Sequence, residues 1–222
     1  MTRPRAAADR FVAGMPPSLR AQVEPVFSPL LDIVPVTGWH DPDDDAIAIF
    51  TSSNGVIHGP ESIGRTAYCV GEATTALAQS RGWAARMAGA DAESLVSHVR
   101  DAGAGHTLVH IRGRHTRSDV AARLGASGHA VRTLVVYDQV LKTLTAQAQQ
   151  LLSRNSPTIV PLFSPRTAMQ FAKMARSPTS TQVIALSPAV ADAAAPLEVH
   201  CVCDRPDAPA MYDAMSRTIA SG

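Results

Sequence analysis

Short apolar runs recur along the chain, each closing on small polar residues or glycine and followed at once by a helix-like segment. Ala46-Ile47-Ala48-Ile49-Phe50 leads into Thr51-Ser52-Ser53-Asn54-Gly55. Ala67-Tyr68-Cys69-Val70 leads into Gly71-Glu72-Ala73-Thr74-Thr75 and then Ala76-Leu77-Ala78-Gln79. Leu108-Val109-His110-Ile111 leads into Arg112-Gly113-Arg114 and a helix over residues 119–124. Near-continuous apolar strands alternating with helices predict a parallel sheet covered on both faces, a doubly wound α/β fold.

The pattern then returns. Ile159-Val160-Pro161-Leu162-Phe163 with Ser164-Pro165-Arg166-Thr167-Ala168 echoes the Phe50 segment, and Val183-Ile184-Ala185-Leu186 with Ser187-Pro188-Ala189-Val190 echoes the Val70 segment. Residues 2–10 are similar to the loop and helix after Ile111, and each of those is followed by a further apolar stretch, residues 26–36 and 131–137. Four kinds of unit therefore follow one another twice along the chain. Two equal domains need one of each. The division this predicts assigns residues 38–135 to an inserted domain and joins residues 1–35 to 140–222 as a discontinuous one, with β-rich crossings at 34–38 and 134–140.

Composition narrows the class. With 222 residues, 45% apolar and 18% charged, the chain is long enough for a sizeable core and ordinary for a globular protein. A formal net charge of +1 gives no global field for nucleic acid or an anionic membrane. No stretch nears the roughly 20 apolar residues of a membrane span, and Met1-Thr2-Arg3-Pro4-Arg5 lacks the apolar core of a signal peptide, so a cytoplasmic protein is expected. Cys69, Cys201 and Cys203 make no disulfide framework or zinc spacing and are expected as reduced thiols. The run Asp41-Pro42-Asp43-Asp44-Asp45 lacks the glycine and distal glutamate of a calcium loop, and the eight histidines show no ligand spacing, so no metal is expected.

Phosphate-loop, dinucleotide and nucleophile-elbow motifs are all missing from the sequence. The chemistry that remains lies at the strand ends. Ligands of open parallel sheets bind outside the carboxyl ends of the strands, where helix amino termini present unpaired N–H groups. Those turns carry Thr51, Ser52 and Ser53; Gly71 and Thr74; Arg112, Gly113 and Arg117; and Ser164, Arg166 and Thr167. Each could simply cap a helix. As a set they suggest a cleft for a polyanion.

These segments, in this order and spacing, resemble the uroporphyrinogen-III synthase family over nearly the whole chain: Thr2-Arg3-Pro4, Phe50 to Val56, Val70 to Thr74, Ile111-Arg112-Gly113 through Arg117-Ser118-Asp119, Val136-Tyr137, and Phe163 to Ala168. The resemblance implies two α/β domains joined by a two-strand β connector, with the active cleft between them. It implies a linear tetrapyrrole octacarboxylate, hydroxymethylbilane, as substrate, closed with loss of water and inversion of ring D, without metal or organic cofactor. It implies Tyr137 as the acid assisting departure of the hydroxyl, with Thr74, Arg112 and Arg117 among the groups that hold substrate. A monomer with transient contacts to neighbouring pathway enzymes is expected. Two departures stand out: Ser187-Pro188-Ala189-Val190 replaces a Gly-x-x-Thr-like turn, and only Met1 precedes the Thr2-Arg3-Pro4 segment, where the family has a strand. A non-catalytic binding protein or an inactive paralogue are the competing expectations.

Overall fold

The computed structural model describes residues 1–101, 105–116, 119–154, 156–175 and 180–221. The expected site residue Arg117 falls outside them. The described residues form ten helices and nine strands. In chain order these are α1 (Arg5–Ala13), α2 (Pro17–Arg20), β1 (Leu31–Pro35), β2 (Ile47–Phe50), α3 (Ser53–His58), β3 (Thr66–Val70) and α4 (Glu72–Ser80). There follow β4 (Ala84–Gly89), α5 (Ala92–Asp101), β5 (Leu108–Gly113), α6 (Val120–Gly125) and β6 (Val131–Leu141). The chain closes with α7 (Ala146–Ser153), β7 (Thr158–Leu162), α8 (Pro165–Met174), β8 (Thr181–Ala185), α9 (Pro188–Ala193), β9 (Cys201–Val202) and α10 (Ala208–Ala220).

Two compact units emerge: Met1–Asp32 with Val140–Gly222, and Ile33–Gln139. In the second unit the strands run β6-β5-β2-β3-β4 and pair in parallel, with β1 beside β6 at the outer edge. Because side chains alternate along a strand, each of these strands feeds two cores. Ala48, Phe50, Ala67, Cys69, Val109 and Ile111 pack under Val56 of α3 and Ala78 of α4. Ile47, Ile49, Tyr68 and Leu108 turn the other way, against Leu95, Val96 and Val99 of α5 and Val120 and Leu124 of α6. Helices on both faces are what the near-continuous apolar runs predict.

In the first unit the order is β7-β8-β9, again parallel. Val160, Leu162, Val183 and Ala185 face α8 and α9, while Ile159 and Ile184 face α1 and α10. Phe171 of α8 is fully buried against the first of these faces, worth about 1.5–3 kcal/mol by transfer alone. Pro161 interrupts no ladder, because β7 lies at the end of its sheet, where a missing N–H is tolerated. Polar caps fix where the helices begin. Thr145 accepts from Ala148 N–H at 3.3 Å, Asp119 from Ala122 N–H at 3.0 Å, and Asp207 from Ala210 N–H at 2.8 Å.

The apolar runs were expected to end at Ile111, with Arg112 and Gly113 in the turn; instead β5 continues through Gly113, which pairs with Tyr137 across a register shift. No helix among the described residues is long and apolar enough to cross a membrane. Cys69 and Cys203 are buried and Cys201 half-buried, all free thiols, and burial pushes Cys69 and Cys203 up to about 11.

Candidate functional site

In the sheet of the second unit the chain leaves β2 toward β3 and β4 on one side, then returns to β5 and β6 on the other. The strand order therefore reverses between β2 and β5, and such a switch point opens a crevice at the strands' carboxyl ends. The register places Ile49 opposite His110 and Phe50 opposite Ile111, so Thr51 emerges on the face that His110 shares. Thr51 Oγ1 lies 3.2 Å from His110 Nε2. Ser52 caps α3, accepting from Asn54 N–H at 3.2 Å. Ser53 Oγ lies 3.4 Å from Thr74 Oγ1, which links the first turn of α3 to α4. Thr51 is thus paired with His110 and Ser53 with Thr74, while Ser52 serves the helix.

Gly71 forms the turn from β3 into α4 with φ +74° and ψ 154°, a conformation open essentially only to glycine. Nothing stands within 4 Å of where its Cβ would be, so the backbone is bare on that side. Thr75 Oγ1 donates to the Gly71 carbonyl at 2.9 Å and stabilises the turn. Arg112 folds back on its own strand end, with Nη1 donating to the carbonyls of Gly113 at 3.0 Å and Arg114 at 3.3 Å. A guanidinium has five donors, so this leaves an edge for a carboxylate. Tyr137 is 5% exposed, its ring against Gly113 and 5.9 Å from the His58 ring.

His110 is the residue that sequence reasoning missed. It is 1% exposed, and its Nδ1 is buried with no hydrogen-bond partner among the described residues. Burial, reinforced by the charge of Arg112 and opposed by Asp119, pulls it down to about 4, so it is neutral near pH 7. A neutral imidazole can direct the Thr51 hydroxyl without adding charge. A signal exists in principle, in the shared parity of Thr51 and His110, but it requires the register of β2 on β5.

In the first unit, Ser164 caps α8 by accepting from Thr167 N–H at 3.2 Å, and the two hydroxyl oxygens lie 2.8 Å apart. Arg166 sits half-buried in the same first turn. Ser187 occupies the equivalent place before α9 but makes no cap bond through its side chain. The two strand ends therefore differ in their capping. Among the described residues no cluster of His, Cys, Asp and Glu could hold a metal ion.

The family profile described as "Uroporphyrinogen-III synthase HemD" matches residues 19–213. The fold is similar to that of a uroporphyrinogen-III synthetase from Helicobacter pylori, at 18% identity and TM-score 0.65, over 86% of this chain and 91% of that one. It is also similar to a mutant uroporphyrinogen III synthase from Thermus thermophilus, at 15% identity and TM-score 0.54, over 98% of this chain and 96% of that one. No curated protein matches the chain in sequence. With a profile match over most of its length, the chain belongs to the uroporphyrinogen-III synthase family, cyclising lyases of haem biosynthesis.

Proposed function

We propose that the chain works as a synthase in which strand-end hydroxyls, backbone amides and arginines hold an extended octacarboxylate while Tyr137 acts as the acid. In this reading residues 1–35 with 140–222 and residues 38–135 are two domains, joined through 34–38 and 134–140, and the substrate lies in the cleft between them. The compact units Met1–Asp32 with Val140–Gly222 and Ile33–Gln139 support the division. The observation that carries the site is the pairing of Thr51 with His110 across the β2–β5 switch point, with the Ser53–Thr74 pair at the starts of α3 and α4. Gly71, Gly113 and Arg112 extend that site, Ser52, Ser164, Arg166 and Thr167 supply helix amino ends, and Arg117 is retained as a carboxylate-binding group on the resemblance alone.

The chemical demand is geometric. Hydroxymethylbilane closes without help, but without inverting ring D, so the enzyme must bring the substituted carbon of that ring within attack range. Tyr137 O–H gives its proton to the departing hydroxyl, the C–O bond breaks and water leaves. The electrophilic carbon so formed is attacked by the substituted carbon of ring D. The resulting spiro intermediate opens by breaking the older bond to that substituted carbon and recloses onto the unsubstituted carbon of ring D, with the ring inverted; the proton lost there restores Tyr137. No step needs a metal or a cofactor. The enzyme acts as a cytoplasmic monomer, touching the preceding and following enzymes only transiently.

Because substrate disappears on its own, the isomer formed is the test. Purified protein in chelator should give mainly the type III isomer, separated by chromatography after oxidation to porphyrin. A type I product equal to that of buffer alone would refute the reading and leave a binding protein or inactive paralogue.

A further inference from the structure

Arg3 is a cation with no carboxylate partner among the described residues. Its Cζ lies 4.3 Å from the centroid of the Phe163 ring, a stacking geometry that orients a guanidinium but neutralises nothing. Burial lowers its pKa from the usual arginine value, and the neighbouring positive charge of Arg10 lowers it further; only the phenol of Tyr212 acts the other way. The nearby Arg5 is engaged by Asp9 at 2.9 Å, whereas no carboxylate among the described residues pairs with Arg3. A half-buried cation beside a second cation is unfavourable until an anion arrives.

The surroundings hold Arg3 in place. Thr2 Oγ1 donates to the Pro161 carbonyl at 3.3 Å, and Leu30 N–H donates to the Thr2 carbonyl at 3.0 Å, so the backbone just ahead of Arg3 is pinned on two sides. Phe163 is braced edge-on by Phe11 at 4.9 Å, and Phe11 by Tyr212 at 4.6 Å. The Tyr212 hydroxyl closes the arrangement by donating to the Phe11 carbonyl at 2.7 Å. Phe163 directly precedes Ser164, the cap of the ten-residue helix α8. The guanidinium is therefore stacked on the residue that follows the carboxyl end of β7.

We propose that Arg3 binds one carboxylate of the linear tetrapyrrole at the carboxyl end of β7. This rests on the synthase reading above. A carboxylate suits the site because a guanidinium presents paired N–H donors in one plane, matching two carboxylate oxygens. Every ring of an octacarboxylate brings such a group.

The test compares the unsubstituted protein with Arg3→Met, which keeps an unbranched stem over Phe163, and with Arg3→Lys, which keeps the charge. KM and kcat for type III formation are measured at several salt concentrations, with melting temperatures alongside. Arg3→Met should raise KM roughly ten- to a hundredfold, the loss of one charge-assisted contact, with kcat nearly unchanged and a shallower rise of KM with salt. Arg3→Lys should recover part of the loss. A KM for Arg3→Met within about twofold of the unsubstituted protein overturns the proposal while leaving the synthase reading intact. Should Arg3→Met also melt early, Arg3→Lys decides: a KM restored toward normal supports the role, and one as high as that of Arg3→Met overturns it. If the unsubstituted protein gives no type III isomer, the synthase reading fails, and the role of Arg3 with it.

Discussion

The ring of Tyr137 fills the space that a side chain at Gly113 would need: a Cβ there would stand 2.4 Å from Tyr137 Cε2 and 2.5 Å from Cζ. Gly113→Ala must therefore push the ring aside or bend the end of β5. Overpacking of this kind costs about 1–3 kcal/mol, which a lowered midpoint in urea denaturation would report. Type III formation should fall with it. A variant as stable and as active as the parent would show that the ring is free to move and that its placement is unimportant.

Tyr137→Phe keeps the packing and removes only the hydroxyl. A proton donor acts in the transition state, so kcat should drop by one to several orders of magnitude while KM stays near its original value. An unchanged kcat would reduce Tyr137 to a packing residue.

Arg112→Ala should behave differently. If its free guanidinium edge holds a carboxylate before and during reaction alike, KM rises about tenfold or more with kcat little altered. The same change releases the carbonyls of Gly113 and Arg114 from Nη1. A fall in kcat at constant KM would mean that Arg112 shapes the Tyr137 strand end rather than gripping substrate.

His110 makes stability depend on pH. Its ordinary value is 6.5 and its folded value about 4. Between these values the unfolded chain takes up a proton that the native protein refuses. The contribution is thus complete above pH 6.5 and is lost as pH falls to about 4, at about 1.4 kcal/mol per pH unit and ~3 kcal/mol in all. Replacing His110 by Gln should flatten the unfolding free energy over that window, measured by denaturant titration at half-unit intervals. An unaltered slope would place the titrating group elsewhere.

The strands buried on both faces were legible because they carry unbroken apolar runs, as Ile47 to Phe50 and Leu108 to Ile111 do. The strand β4 was not. At the sheet edge only part of Ala84–Gly89 is covered, so Arg86 and Met87 stand exposed in a short, alanine-rich segment without a clear period. At the site, hydroxyls and glycines were visible as types, but their grouping was not. That Thr51 meets His110 follows from the pairing of Ile49 with His110, a contact across 61 positions that no local pattern encodes. Tyr137 and Gly113 likewise touch only because the register of β5 on β6 shifts by one residue at that point.

The bond from Tyr212 to Phe11 spans 201 positions, and between them the whole of Ile33–Gln139 is laid down. At ribosomal speeds of roughly 5–20 residues per second, the first helix waits on the order of ten to forty seconds for the last. During that interval the middle of the chain can finish folding, while Phe11, Met15 and Leu19, all buried in the native protein, still lack Ile184, Met211 and Tyr212 to pack against. Each nascent chain thus trails a sticky leader past a completed unit. Slow codons late in the message, or a shortage of chaperones, would first be felt at α1.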